Sequence, residues 1–275
     1  MRYQGEEIHT GQLLLAKEAA LFPEQPALLA SKGITQVKVF ARPRVTLMTT
    51  GTEVRPFRET VQDFEIRDSH QVVLKEAVKL FGAQLIAARH LPYDFDQTVA
   101  ALDKAAEASD VVLLAGGVSV GPHDHVKKAA TTNGFLEIFW KISQQPCTPF
   151  FFARKEDVLL FGLPGNPVSA YMGFVHYLFP ALRYLQGFSF EWPMVEAVSA
   201  ESFEIMEKRA QLMRVRLKRE AEKLWFEPLP KQDSHMISSI SQAAGYLVVN
   251  PGEKIEKHEK RKIYLFPWRK DYGIC

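Results

Sequence analysis

Cysteine is scarce in this chain, which has two, Cys147 and Cys275, among 275 residues. Two widely separated cysteines provide neither a disulfide framework nor the ligand pattern of a structural zinc site. The sequence also lacks an apolar run of about 20 residues and an N-terminal segment of the signal-peptide type. These absences exclude a disulfide-rich secreted domain and predict a cytoplasmic protein with no membrane partner.

A strong excess of one charge is missing as well. The 34 basic and 32 acidic residues leave a formal net charge of +2, so composition gives no reason to expect a nucleic-acid partner. The dinucleotide-binding signature GxGxxG and the P-loop signature GxxxxGK, which continues with Ser or Thr, do not occur. The two commonest glycine-rich nucleotide motifs are therefore excluded.

The most distinctive stretch is 109–124, which reads SDVVLLAGGVSVGPHD. The unbroken apolar run 111–115 predicts a strand that is covered on both faces. Gly116, Gly117 and Gly121 then open a loop in which the backbone can turn sharply and approach a ligand, and Asp124 starts a helix. A loop at this point of an α/β sheet is a usual place for an anion. The alternative is a tight turn without a ligand.

Strands alternate with helices from residue 44 onward, which predicts an α/β fold with a doubly wound, mostly parallel sheet. Asp68–Ser69 is expected to cap the first of these helices, which stops at Gly82. The predicted strands are 45–49, 84–88, 111–115 and 136–142, followed by a hairpin of 150–153 and 158–161. The predicted helices are 69–80, 97–108, 125–132 and 168–185.

The sequence pattern divides the chain into three parts, 1–43, 44–188 and 189–275. The last part predicts a smaller β-rich domain, a sandwich or partial barrel, with one short helix at 199–206. The first part is too short to hold much core of its own, so it should pack on the rest or on another chain. Its candidate elements are strands 13–15 and 37–40 and a helix 26–32, and the strands of the last part are 195–198, 210–217, 224–227, 246–249 and 262–265.

A second glycine loop, Gly162-Leu163-Pro164-Gly165-Asn166-Pro167, precedes the helix 168–185. Asn166 suits the N-cap and Pro167 the first helical position, so the loop should offer free backbone donors at a helix start. The alternative is again a turn that only packs the helix on the sheet. Because both glycine loops follow strands of one parallel sheet, we expect them side by side at the carboxyl edge.

Carboxylates gather at the predicted ends of strands, where Glu53, Asp94 and Asp124 follow three different strands. Such oxygens beside phosphate-binding amides are typical of Mg²⁺ sites, although Asp also caps helices and forms turns. Lys141 is a candidate partner for a phosphate. The hydroxyl-rich segment 233–239, DSHMISS, is a candidate oxyanion loop or an ordinary turn.

Five motifs together resemble the MoeA family, the molybdopterin molybdenumtransferases. They are TGTEV (50–54), GGVSVGPHD (116–124), FWKI (139–142), GLPGNPVSA (162–170) and DSHMISS (233–239). The resemblance covers nearly the whole chain, with residues 1–43 similar to the last part of the family's first domain. Its implied fold is the molybdopterin-binding α/β domain followed by a β-rich domain.

The resemblance implies binding of adenylylated molybdopterin, a pterin nucleotide, and Mg²⁺-dependent insertion of molybdate with release of AMP. It also implies a homodimer. The implied catalytic residues are Glu53, Asp94, Asp124 and Lys141, with Glu53 and Asp124 at the metal. The implied ligand-binding residues are Thr50, Gly51, Gly116, Gly117, Ser119, Gly121, Gly165, Asn166, Pro167, Ser169, Ser234 and His235.

The chain departs from the family pattern at several positions. Thr52 stands where the family has Asp, His70 stands in place of Asn, and the family's KPGKP reads QPCTP, which puts Gln145 and Thr148 in place of lysines. The inserted second domain has no counterpart. Two further hypotheses therefore stay open: a catalytically impaired paralogue that binds molybdopterin or a partner, and a separate chain that supplies the missing domains.

Overall fold

The computed structural model describes residue 3, residues 5–118 and residues 125–269. Strands and helices alternate through its first two thirds, as the sequence pattern predicts. The elements up to residue 185 are α1 (Glu24–Ser31), β1 (Arg44–Thr50), β2 (Val54–Arg55), β3 (Ile66–Arg67), α2 (Ser69–Leu80), β4 (Gln84–Leu91), α3 (Phe95–Ala108), β5 (Val111–Ala115), α4 (His125–Thr132), β6 (Leu136–Trp140), β7 (Gln144–Gln145), β8 (Phe151–Lys155), β9 (Val158–Leu163), α5 (Pro167–Gly173) and α6 (Phe179–Leu185).

The main sheet has six strands in the order β4-β1-β5-β9-β8-β6. Its first four strands are parallel, whereas β8 runs antiparallel to both β9 and β6. All five residues of β5 are buried, because this strand lies inside the sheet and is covered on both faces. The predicted α/β class, mostly parallel sheet and β8–β9 hairpin are confirmed.

Helices cover both faces of this sheet. On one face α2, α5 and α6 pack against Val45, Leu47 and Leu113, and on the other α3 and α4 pack against Met48 and Leu114. The predicted helix 168–185 is continuous from α5 to α6 through one π-helical segment, Phe174–Leu178. The sheet is therefore doubly wound.

The last third of the chain folds into a β-rich unit. Its elements are β10 (Met194–Ser199), β11 (Phe203–Glu204), β12 (Ala210–Glu220), β13 (Lys223–Pro228), α7 (Ser238–Gln242), β14 (Gly245–Val249), β15 (Lys254–Ile255), β16 (Lys260–Leu265) and a 3₁₀ turn, Pro267–Arg269. The strand order β13-β10-β16-β14-β12 closes into a ring because β12 also pairs with β13. Of the two architectures predicted for this domain, sandwich and partial barrel, the structure therefore shows a barrel.

Three sequence predictions of secondary structure are wrong. Residues 199–206 form no helix; Phe203 and Glu204 pair with β15 instead, so tertiary pairing overrides local propensity. Residues 13–15 and 37–40 form no strands in the described structure, because no neighbouring strand supplies hydrogen bonds. Within residues 5–42 the expected helix is present as α1.

The β-rich unit and the sheet share one apolar core. Tyr171 of α5 packs edge-on against Phe266, with ring centroids 5.3 Å apart, and Tyr246 belongs to the same buried cluster. β7, which lies before β8 in the chain, pairs with β12 at the edge of the barrel.

The domain boundary predicted at 188/189 stays a prediction. Among the described helices, none is long and apolar enough to cross a bilayer.

We expect Gly245→Ala to destabilise the barrel. A Cβ at Gly245 would overlap the Tyr264 carbonyl oxygen and lie 2.9 Å from the Leu265 Cα, so β14 would separate from β16. Overpacking of this kind costs about 1–3 kcal/mol, measurable as a lower urea midpoint. Gly165→Ala is the matched control, because its Cβ meets nothing closer than 3.9 Å. Equal midpoints for the two variants would contradict the close strand approach.

Candidate ligand-binding site

The described start of the first glycine loop, residues 116–118, lies beside the second glycine loop. β5 and β9 are neighbours in parallel register, with Ala115 opposite Leu163. Beyond this pair, the Gly116 N–H donates to the Leu163 carbonyl (3.0 Å), and a Cβ on Gly165 would lie 3.9 Å from the Gly116 Cα. The expectation that both loops meet at the carboxyl edge of the sheet is confirmed for residues 116–118 of the first loop, whereas residues 119–121 lie outside the described residues.

The first loop needs glycine for steric reasons. Gly116 has a φ of +94°, and a Cβ there would lie 2.7 Å from the Thr50 carbonyl oxygen of β1. Gly117 has a φ of +65° and would place a Cβ 3.3 Å from the Thr50 Oγ1. Side chains at either position would push β1 away from β5. The Thr50 hydroxyl itself is buried and has no hydrogen-bond partner among the described residues.

An open cavity of about 860 Å³ lies at this edge of the sheet. Its wall combines both glycine loops, the segment between β1 and α2, and the loop before α7. The lining residues are Glu53, Val54, Ile66, Arg67, Ser69, His70, Tyr93, Gly117, Val118, Thr148, Pro149, Pro164, Gly165, Asn166, Pro167, His235 and Ile237.

The end of β1 is held by a buried polar network. The Thr49 hydroxyl donates to Asp68 Oδ2 (2.7 Å) and lies 3.1 Å from His90 Nδ1, while His90 Nε2 lies 3.1 Å from the Gly51 carbonyl. Asp68 also caps α2 by accepting from the Gln71 N–H (2.8 Å). This network fixes the chain direction at Gly51, from which Glu53 reaches the cavity.

His70 is the second residue of α2 and is buried against the second glycine loop. Its Nε2 is buried without a hydrogen-bond partner among the residues that the structure describes. Burial lowers the pKa of His70 below its ordinary value, whereas the Asp68 carboxylate and the backbone of Asn166 and Gly165 act in the opposite direction. From the sequence, His70 is only a departure from the family pattern and is not among the predicted site residues.

The β-rich unit closes one side of the cavity. The Asn166 side-chain N–H donates to the Ser234 hydroxyl (2.8 Å), and the Val168 N–H donates to the Ser234 carbonyl (3.0 Å). Asn166 therefore occupies the N-cap of α5 without a side-chain cap bond. One of the backbone donors that were expected to be free at this helix start is already used within the fold, and His235 lines the cavity beside it.

Arg214 binds the segment that leads to Ser234 and His235, on the side away from the cavity wall. Its side chain is fully buried in β12, and its Nη2 reaches the carbonyls of Lys231 (3.3 Å) and Asp233 (3.5 Å). The Nε and Nη1 atoms have no partner in the described part of the chain. Burial lowers the pKa of Arg214 to about 10, against the attraction of Asp233. Arg214 is absent from the residues predicted from the sequence, although its alternation with buried Leu212 along β12 is a signal that it faces inward.

Other predicted site residues lie away from the cavity wall. Lys141 is exposed, with its Nζ 4.2 Å from the Trp140 ring centroid, and that indole donates to the Val118 carbonyl (3.2 Å). Asp94 caps α3 by accepting from the Gln97 N–H (2.7 Å). Ser169 is buried inside α5. Three further predicted residues, Ser119, Gly121 and Asp124, lie outside the described residues.

The two positions where the family pattern has lysine are separated. Gln145 is exposed in β7, opposite Gln211 of β12, and does not line the cavity. Thr148 does line it, but its hydroxyl lies 2.6 Å from the carbonyl oxygens of both Ile142 and Gln144. The hydroxyl therefore serves the local turn and is turned away from a ligand.

The described residues provide one candidate magnesium ligand at the cavity. Within residues 3, 5–118 and 125–269, no three His, Cys, Asp or Glu side chains come together in a way that could hold a metal. Glu53 is the one carboxylate of the described residues that lines the cavity. Mg²⁺ is usually held by one or two carboxylates together with substrate phosphates, so the described residues do not build such a site without a ligand.

Comparison with known proteins gives a consistent result. Residues 46–184 match the family described as a probable molybdopterin binding domain, and residues 196–266 match the MoeA C-terminal region, domain IV. A molybdopterin molybdenumtransferase of Haemophilus influenzae is 34% identical over 187 residues, which are 68% of this chain and 46% of that protein. One of Staphylococcus epidermidis is 30% identical over 214 residues, covering 78% of this chain and 51% of that protein.

The three-dimensional likeness extends further along the chain. The molybdopterin biosynthesis MoeA protein of Pyrococcus horikosii superposes with a TM-score of 0.80 at 26% identity, over 95% of this chain and 64% of that one. The chain thus spans about half the length of the curated relatives it matches. With the molybdopterin-binding region and the C-terminal region present in order, and with the fold to match, the chain belongs to the MoeA family.

Proposed function

We propose that the chain acts in molybdenum cofactor biosynthesis by binding adenylylated molybdopterin between its two glycine loops, where molybdate is inserted and AMP is released. The observation that carries this proposal is the contact between the loops, through the Gly116 N–H and the Leu163 carbonyl. Two glycine-rich strand ends that touch leave backbone close to a ligand on both sides, as phosphate groups require.

The polar groups around the cavity support an anionic ligand. His70 lines the cavity, and its Nε2 is buried without a partner among the described residues, so a bound phosphate oxygen would satisfy it. The Thr50 hydroxyl, likewise without a described partner, lies behind Gly117 of the cavity wall. Arg67 places a guanidinium on the wall. Ser234 and His235 form the side towards molybdate in this proposal, and the buried Arg214 charge beneath that loop favours an oxyanion.

Magnesium is part of the proposal through Glu53, with Asp124 as the second carboxylate. Glu53 is exposed at the cavity, and its carboxylate accepts no hydrogen bond from the described residues that would compete with a cation. When bound, the ion would neutralise phosphate charge. The chain's own residues hold the ligand: Gly116 and Gly117 by close backbone approach, and Asn166 by keeping the second loop against Ser234.

Ligand binding without turnover is the second candidate. The observation that favours it is Thr148, which lines the cavity where the family pattern has lysine and whose hydroxyl is held by two carbonyls. Thr52 likewise replaces a family carboxylate. Incubation with adenylylated molybdopterin and molybdate separates the candidates, since both predict binding but only the transferase predicts AMP release.

We further propose that the chain forms a homodimer. Its accessible surface is 16301 Å², whereas a compact monomer of this mass has about 12,000 Å². Much of the exposed apolar surface lies in the first 42 residues, where Leu13 is 77% and Val39 67% exposed. A partner covering this segment would remove it from water. A separate chain that supplies the missing domains is the alternative partner.

Gly165→Val is expected to weaken binding of adenylylated molybdopterin at least about tenfold, which corresponds to roughly 1.4 kcal/mol. A Cβ at Gly165 would have the Gly116 Cα, at 3.9 Å, as its nearest neighbour, so the side chain has room to extend into space that the ligand needs while the fold is kept. Titration calorimetry measures the effect, with Gly134→Ala on the far turn as the control. Unchanged affinity would mean that the ligand does not reach the second loop.

Glu53→Gln is expected to slow AMP release by roughly tenfold or more and to raise the Mg²⁺ concentration needed for half the maximal rate, because a neutral amide binds the cation less strongly. Glu59→Gln, an exposed carboxylate of the same segment outside the cavity, is the matched control. If both variants respond to Mg²⁺ like the parent chain, Glu53 is not a metal ligand.

Analytical ultracentrifugation at micromolar concentration is expected to show a dimer for the parent chain and a monomer for Val39→Asp. The carboxylate would have to be buried in the apolar contact, which costs free energy unless it finds a partner. Val72→Asp, at an exposed position of α2, should remain a dimer. A monomeric parent chain would refute the dimer.

A further inference from the structure

His70 combines three features that set it apart from the other polar residues of the described chain around the cavity. It lines the cavity, its side chain is only 8% exposed, and its Nε2 is buried without a hydrogen-bond partner among the described residues. A buried nitrogen without a partner lowers stability. A residue kept in this state, on the wall of an open cavity, is suited to meet a ligand atom.

The surroundings of His70 define which ligand atom fits. On its own helix the Asp68 carboxylate is close enough to favour the protonated ring, and the backbone of Gly165 and Asn166 acts in the same direction from the second loop. The cavity wall adds Glu53, Arg67 and His235, and also Tyr93. A neutral apolar ligand would leave the buried Nε2 unsatisfied, whereas an oxygen with negative charge would accept a hydrogen bond from it.

The rest of the wall shows why such a donor is needed. Where the family pattern has a lysine, Thr148 presents a hydroxyl already held by the carbonyls of Ile142 and Gln144. Among the described lining residues, Arg67 is the one side chain with a permanent positive charge. His70, where the family pattern has Asn, adds a ring that is able to gain a proton when an anion arrives.

We propose that His70 is a ligand-binding residue whose Nε2 donates a hydrogen bond to a phosphate oxygen of a bound nucleotide, and that binding takes up a proton from solvent onto this ring. The inference rests on the proposed function for the place of the nucleotide. It assigns the phosphate contact, and its proton, to a histidine that stands where the family pattern has Asn.

The pH dependence follows from the two states of the ring. In the free protein burial lowers the pKa of His70, so the ring is neutral near pH 7. A phosphate oxygen at Nε2 favours the charged ring and raises the pKa in the complex. The gain in affinity is fully present below the free-state pKa and is lost as the pH rises through the pKa of the complex.

Ring ¹H–¹³C NMR of the full chain tests this directly, with the His70 signal identified by its absence from His70→Asn. We expect the pKa of His70 to rise by at least about one unit when AMP or inorganic pyrophosphate saturates the cavity. A rise of about one unit corresponds to a change of about tenfold in affinity between low and high pH. Calorimetry of AMP in buffers of different ionisation enthalpy should show uptake of up to one proton.

Three variants separate a ligand contact from a structural role. His70→Asn keeps an N–H donor and should bind AMP within several-fold of the parent chain but without proton uptake. His70→Phe keeps the ring shape and should lose at least about fivefold in affinity below pH 6. His258→Asn, on the barrel beside Trp225, should retain both affinity and proton uptake. If His70→Phe does not fold, the comparison with His70→Asn still decides.

The outcomes distinguish this inference from the proposed function. A pKa of His70 that is the same with and without saturating AMP and pyrophosphate overturns the inference, as does a lack of binding by both probes. If the pKa rises but adenylylated molybdopterin does not bind, the inference stands and the proposed function fails. If the pterin nucleotide binds and His70→Asn keeps the parent's proton uptake, the inference fails and the proposed function stands.

Discussion

The structure depends on how closely three strand ends approach at the carboxyl edge of the sheet. Gly116 lies between the end of β1 and the end of β9, with the Thr50 carbonyl against its Cα on one side and the Leu163 carbonyl bound to its N–H on the other. No residue with a Cβ fits between them at a φ of +94°. This close approach places both glycine loops, and therefore the cavity, at one point of the fold.

The β-rich unit completes that site. Ser234 satisfies the Val168 N–H at the start of α5 and the side chain of Asn166, so the second glycine loop is held by residues almost 70 positions further along the chain. The shared core around Tyr171 and Phe266 keeps the two units in contact. Because the cavity wall takes His235 and Ile237 from this unit, the site exists only when both units are packed together.

The polar residues near the cavity fall into two groups. Asp68 and Thr148 use their oxygens within the fold, as a cap and a turn contact. Thr50 and His70 keep buried atoms without partners among the described residues, at a cost of about 1–3 kcal/mol each. Both groups lie beside the glycine loops, Thr50 against Gly117 and His70 against Gly165, where the proposed ligand would bind.

The sequence by itself determined the α/β class, the buried strand 111–115, the positions of both glycine loops and the family, because these depend on apolar periodicity and on residues with special backbone freedom. Tertiary structure alone decided which carboxylates face the cavity. Glu53 does and Asp94 does not, although both follow strands, since Asp94 lies where an N-cap is needed. Residues 203–204 became a strand only because β15 lies beside them. The burial of His70 and Arg214 likewise arises from neighbours that are distant in the chain, which no local pattern encodes.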